Sequence, residues 1–333
     1  MHVEGRDLAS GVLNRLTEIR RRKRLEKWLE DVVRGDVEEQ LRDIAAGGAV
    51  DAGARRIFAL LSGHQIERAC EAAMDSRDFR LATLLSQAGG DDSFRADIIL
   101  QLAKWREYRV DPHISKGYRR IYEILSGNVG ISAGVSEGDA VDQVPAIYMS
   151  EGLDWKRAFG LQLWYGKFQA TVSTSLAEYA ESTTADLKIA SPLPLYLEKP
   201  STASAASPKW KPTPTPPSDP LFEMIKLYTN PSHSLESVLL PRNFTSSPLD
   251  YRLPWHLYIL FSRVLRKRDF GDRIELGDEA MDGPEGNSVR ADMMTEGYAS
   301  QLEGLGMFTW AIFVLLHLEL PSKCVVPSFI PVK

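Results

Sequence analysis

The sequence predicts an all-α protein of the irregular helical solenoid type, and three observations carry that prediction. Apolar residues recur every three or four positions through most of the chain. Helix-length runs are separated by Gly or by an Asx residue suited to N-capping. No stretch alternates with period two between hairpin-type turns, so no sheet is expected.

From Asp7 onward Leu8, Val12, Leu16 and Ile19 form a stripe that Leu25, Trp28, Leu29 and Val32 continue, which predicts a long amphipathic helix ending near Gly35. Asp36 is placed to N-cap a helix from Val37 to Ala46, and Gly47-Gly48 stops it. Asp51 caps the next helix through Ile57, Leu60 and Leu61. His64 to Met74 and Phe79 to Ala88 follow, and Asp91-Asp92 start a helix that carries Phe94, Ile98, Ile99, Leu102 and Trp105. Asp111-Pro112 leads to Tyr118, Ile121, Tyr122 and Leu125, after which Gly127 to Gly138 reads as loop. Leu153 to Trp164 and Phe168 to Tyr179 are again helical in spacing.

Ser182 to Asp219 changes character, with Ser, Thr, Ala and Pro dominating Ser201 to Pro217. Such a stretch buries too little apolar surface to offset its ordering entropy, so it reads as a flexible linker. Ser207, Thr213 and Thr215 each precede proline, which leaves proline-directed phosphorylation and a plain low-complexity loop as alternatives. Helical spacing returns at Leu221 to Tyr228. It strengthens over Trp255, Leu257, Tyr258, Leu260, Phe261, Val264 and Leu265, where apolar residues take up most of the circumference and predict a central helix. A polar loop, Gly271 to Asn287, precedes Val289 to Leu302. Gly304 to Gly306 then divides this helix from Phe308 to Leu318, and the pair reads as an antiparallel helical hairpin. No fixed repeat period emerges, which makes the solenoid an irregular one.

Composition narrows the function classes. A hydrophobic content of 44% excludes disorder throughout, and a net charge of −5 gives no overall reason to expect nucleic acid or an anionic membrane as partner. The two cysteines, Cys70 and Cys324, lie far apart, so no disulfide framework is expected and a reducing compartment fits. The longest apolar run, Met307 to Leu316, is about half of the ~20 residues that a membrane span needs.

No catalytic, metal or cofactor site is expected. The six histidines, His2, His64, His113, His233, His256 and His317, stand alone, without a Cys pair or HExxH spacing. Cys70 sits between Ala69 and Ala72-Ala73 on a helix, where a small buried thiol competes with the reading as a nucleophile awaiting a distant histidine. The glycines form neither a P-loop nor GxGxxG after a strand. The basic run Arg20 to Arg24 is open to three readings, a solvated face balanced by Glu18, Glu26, Glu30 and Asp31, a nuclear import signal, or a nucleic-acid contact.

Three stretches carry a family resemblance. They are Leu60–Met74 (LLSGHQIERACEAAM) running into Leu81–Gly90 (LATLLSQAGG) and Gln101–Trp105; Ser150–Gly166 (SEGLDWKRAFGLQLWYG); and Leu253–Leu257 (LPWHL) with Tyr298–Leu318 (YASQLEGLGMFTWAIFVLLHL). From about Arg20 to Leu318 the chain resembles the helical coat nucleoporins of the Y-shaped subcomplex of the nuclear pore, in fungal form. These are the scaffold half of a precursor whose other half is a phenylalanine-glycine repeat nucleoporin.

That resemblance implies the ancestral coatomer fold, with first trunk helices over 1–88, a crown over 89–181, a linker over 182–219, returning trunk helices over 220–320, and an atypical non-helical end over 321–333. It implies a non-enzymatic scaffold at the nuclear pore, supporting transport of mRNA and protein, with a vesicle-coat or tethering scaffold of the same architecture as the alternative. Implied partners are a β-propeller shared with the COPII coat, a second ancestral coatomer nucleoporin met crown to crown, and another coat nucleoporin. The blade-donating segment that serves the propeller in relatives is not found, which weakens that one expectation. Pro321, Pro327 and Pro331 forbid a continuous helix at the end, which reads as truncated. Within the proposed crown Phe94, Ile98, Leu102 and Trp105 are candidate partner contacts, with helix core as the competing reading; the same holds for Leu161, Trp164 and Phe168.

Overall fold

The computed structural model describes residues 10–48, 51–135, 143–167, 170–185, 188–198, 217–273 and 287–319. The chain divides into two compact units, Met1–Ser191 and Pro192–Lys333. The division falls within the Ser/Thr/Pro-rich stretch. Phe168, the three Ser/Thr-Pro positions and residues 321–333 lie outside the described residues.

The first unit is built on α1 (Ser10–Gly47). Leu25, Leu29, Val33, Val37 and Ile44 form its buried stripe, packed on α2 (Ala52–Leu61) and α7 (Trp155–Tyr165). The expected break at Gly35-Asp36 does not occur. Val33 and Val37 are both wholly buried, and each contributes about 1.5–3 kcal/mol, which outweighs the ~1 kcal/mol cost of one exposed helical glycine.

Then come α3 (Ile66–Asp75), α4 (Phe79–Leu85), α5 (Asp92–Glu107), a 3₁₀ turn (Asp111–His113) and α6 (Lys116–Leu125). Asp78, Asp91, Ser115 and Asp154 cap α4, α5, α6 and α7 with their side chains. Asp51 behaves otherwise. It stands at the start of α2, yet its carboxylate accepts from Ser115 Oγ at 3.0 Å and Gly117 N at 3.2 Å, tying α2 to the start of α6.

The expectation of no sheet is corrected. Ile131–Ser132 (β1) pairs antiparallel with Ile147–Tyr148 (β2), and a bridge joins Val135 to Val144. Two-residue strands are too short to show alternation, and tertiary contacts hold them: Ile147 and Met149 are buried, and Ser132 Oγ donates to Glu123. The unit closes with α8 (Val172–Ala185), which runs past the Ser182 boundary and buries Tyr179 against Phe159, ring centres 5.7 Å apart.

In the second unit, α9 (Leu195–Glu198), α10 (Pro220–Thr229), α11 (Leu235–Val238) and α12 (Pro241–Phe244) precede α13 (Arg252–Tyr258), which passes into a π-helical turn, Ile259–Val264. The expectation of a central helix here holds on one side only. Trp255 and Tyr258 are buried, whereas Leu253, Leu260, Val264 and Leu265 are exposed. Next come α14 (Val289–Gly304) and α15 (Phe308–Leu315). Gly306, at φ +74°, lets Met307 N donate back to Leu302 O at 2.9 Å, and this turn folds α15 onto α14. Glu319, just beyond α15, accepts from Ser288 N at 2.7 Å, and its own N–H donates to Asp292 Oδ1 at 2.8 Å, so the far end of the pair is fastened to the start of α14.

Candidate interaction surfaces

The four crown candidates all lie on α5, which packs along α6. Ile98 and Leu102, 4% and 6% exposed, face the core. Phe94 and Trp105 are half-buried, and the Trp105 ring centre lies 4.6 Å from that of Tyr122 on α6. The exposed apolar side chains of α5 are their neighbours Ile99 and Leu100, 54% and 55% exposed, with Tyr108 beyond the C-terminus. The sequence signal for them was the unbroken run Ile98-Ile99-Leu100, which forces apolar residues onto both faces of a helix. Leu161 and Trp164 are buried within the first unit.

The outer side of α15 carries several exposed apolar residues. Ala311 and Val314 are its buried contacts, while Phe308, Trp310, Ile312, Phe313 and Leu316 are exposed.

The basic run Arg20–Arg24 does not form a free cluster. Arg22 turns inward, its Nη2 donating to Leu163 O at 2.6 Å and its Nη1 to Ala170 O at 2.7 Å, with Nε on Glu26 at 2.7 Å. Arg21 bonds Glu18. Arg22 therefore joins α1 to α7 and to Ala170 beyond it, which the spacing of the run alone could not reveal.

Among the described residues the reactive groups do not converge on a catalytic arrangement. Cys70 Sγ donates to Ala82 O at 3.6 Å, and burial, followed by Glu67 and Glu71, raises its pKa, which suppresses the thiolate. His64, His233, His256 and His317 bond Glu30, Glu223, Arg252 O and Phe313 O. Ser237, His233 and Glu223 lie together as in a hydrolase triad, but both neighbours meet the same ring nitrogen, Nε2, at 3.1 and 2.9 Å. The Ser237 hydroxyl donates instead to Ser234 O, so no proton relay through the ring exists. Among the described residues no group of His, Cys, Asp and Glu is arranged to hold a metal.

Helical stacking, exposed apolar faces and dispersed reactive groups describe a scaffold. The family described as Nuclear protein 96 matches residues 55–324. The chain belongs to this family. It is similar to nucleoporin nup189 of Schizosaccharomyces pombe, 35% identical over 264 residues covering 79% of this chain and 14% of the relative. It also resembles nuclear pore complex protein NUP96 of Arabidopsis thaliana, at 27% identity over 90% of this chain and 25% of the relative. The third is nuclear pore complex protein Nup98-Nup96 of Drosophila melanogaster, at 29% identity over 90% of this chain and 13% of the relative. The chain thus spans a quarter or less of these relatives' own lengths. As a Nuclear protein 96 family member it is a structural, non-enzymatic nucleoporin of the nuclear pore complex at the nuclear envelope. All three relatives are named as nucleoporins or pore proteins, so the vesicle-coat alternative gains nothing from them. No described helix is long and apolar enough to cross a membrane.

Proposed function

We propose that this chain is the trunk-and-crown portion of a Y-shaped coat subcomplex, supporting transport of mRNA and protein, and that its crown docks on a second ancestral coatomer nucleoporin through α5. One observation carries the docking surface: Ile99 and Leu100 stand exposed on a helix whose next-door Ile98 and Leu102 are buried, so α5 is held rigidly by one face while offering an apolar pair on another. A rigid helix presenting such anchors suits a helical partner, because little conformational entropy is lost when it docks. The other implied partners, a β-propeller and a further coat nucleoporin, belong to the same reading, with the broad apolar side of α15 available to the latter.

The test is a double substitution, Ile99→Asp with Leu100→Asp, in the 333-residue chain, followed by affinity capture from nuclear-envelope extract. The expected result is an unchanged circular dichroism melt with loss of a crown-bearing coat nucleoporin from the captured set. Retention of that partner by the double variant sinks the α5 assignment, and capture of vesicle coats in place of pore subunits sinks the wider reading.

A further inference from the structure

A cavity of about 370 Å³ lies in the first unit, where the basic half of α1 meets the α7–α8 connection. Arg15, Glu18 and Arg22 of α1, Arg95 of α5, Lys167 and Thr171 line it, together with Gly89, whose φ of +76° keeps that part of the wall free of a side chain. Four cations and one carboxylate therefore face one space.

The neighbouring carboxylates are already engaged. Glu18 pairs with Arg21 at 3.3 Å, Glu26 with Arg22 at 2.7 Å and Glu178 with Lys167 at 2.6 Å. Among the described residues Arg95 meets no carboxylate at ion-pair distance, and its Nη1 donates to the neutral carbonyl of Gly166. Burial disfavours its charge, Asp92 on the same helix opposes that effect, and the like charge of Arg22 adds to it. Glu26 offsets the charge of Arg22, whereas Arg95 has the carbonyl at the α7 end, where the helix dipole amounts to only about −0.5 of a charge, and Asp92 through space. α8 begins at Val172 beside the cavity, and one of its first-turn amides, Thr174 N, already donates to Thr171 Oγ1 at 3.2 Å.

We infer that this cavity binds a phosphoryl group carried by a small soluble molecule. Guanidinium forks match the geometry of phosphate oxygens, and the volume exceeds one phosphate and falls within the range of small-ligand sites. An occupant would bridge α1, α5 and the α7–α8 connection. This inference is independent of the α5 docking surface, which lies on other side chains.

The test is titration of the 333-residue chain with inorganic phosphate and with pyrophosphate, followed by calorimetry and by phosphorus NMR, with a short polyglutamate peptide as the carboxylate arm. The expected result is saturable one-to-one binding of at least one phosphate compound. Arg95→Gln retains a donor for Gly166 O, and Lys167→Gln alters an exposed side chain; each is expected to weaken binding about tenfold or more, since each removes a charge-assisted bond. Arg24→Gln, exposed on α1 and absent from the cavity wall, is expected to change it less than about twofold. Absence of saturable binding, an Arg24→Gln loss as large as that of Lys167→Gln, or binding of polyglutamate alone overturns the inference. Should Arg95→Gln fail to fold, the Lys167→Gln and Arg24→Gln pair decides the matter.

Discussion

Arg157 Nε on α7 donates to the Ser62 hydroxyl at the end of α2 across 3.1 Å. The same guanidinium reaches Gln40 Oε1 on α1, so one side chain ties α7 to the two consecutive helices α1 and α2, far from it in sequence. No carboxylate among the described residues bonds it; burial pushes its pKa down, and Asp154 and Asp36 offset this through space. Arg157→Ala removes both the packing of the stem and the hydrogen bonds, and is expected to cost about 2–4 kcal/mol in urea unfolding. Arg157→Met keeps the volume but strands Gln40, for an expected loss of about 1–2 kcal/mol. A Met variant as stable as the native chain would show that the fork contributes nothing to holding the three helices.

Glu223 on α10 makes stability in the second unit depend on acid. Burial alone would raise its pKa, but the ion pair with Lys226 at 2.7 Å and hydrogen bonds from Ser218 and His233 overcome that effect and hold it below 4.5. A carboxyl whose folded pKa lies below its unfolded one contributes fully above about pH 4.5 and loses that contribution as the pH falls through the folded value. Glu223→Gln is therefore expected to lower stability by about 1–2 kcal/mol at neutral pH, and to narrow its gap from the native chain under more acid conditions. Urea midpoints on either side of pH 4.5 check this, and a gap that stays constant on acidification counts against the assignment.

Gly35 tests whether α1 is one helix. It sits in the helix interior, exposed, with open space where a Cβ would be added. Gly35→Ala is expected to stabilise the chain by about 0.5–1 kcal/mol, because alanine loses less backbone freedom on entering a helix. A helix broken at this position would gain nothing, and thermal melts of the two chains distinguish the outcomes.

The misreading at Gly35-Asp36 shows where local signals stop being sufficient. The residue pair has the chemistry of a stop and a cap, but whether it breaks a helix depends on burial of Val33 and Val37 against α2 and α7, which are contributed by residues distant in sequence. The longer helices were legible because each carries its own stripe and several carry their own cap, whereas the four-residue helices α9, α11 and α12 were not foreseen, and α9 falls in the stretch expected to be a flexible linker. The face of α5 was harder. Ile98 and Ile99 are adjacent and chemically identical, and only the packing of α6 makes one core and the other surface. Arg22 was still less legible, because its acceptors are the backbone carbonyls of Leu163 and Ala170, and carbonyls carry no sequence signature. The β1–β2 ribbon escaped for the same reason: its pairing is held by Glu123 and by buried neighbours more than by propensity.

Gly160 presents the reverse of Gly35. It too lies inside a helix, α7, so alanine there would again gain about 1 kcal/mol of helix propensity. But an added Cβ would stand within 2.6 Å of Trp164 Cη2, one turn along the same helix. That indole cannot swing away, being buried and stacked parallel to His64 with ring centres 5.0 Å apart. Overpacking of this kind costs about 1–3 kcal/mol and outweighs the propensity gain, so Gly160→Ala is expected to destabilise the chain. Combining it with Trp164→Leu frees the space, and because Trp164 Nε1 is buried without a hydrogen-bond partner among the described residues, the second change sacrifices no polar contact. The double variant is expected to lose less stability than the sum of the two single ones in urea unfolding, and strict additivity would show that the two positions do not compete for the same volume.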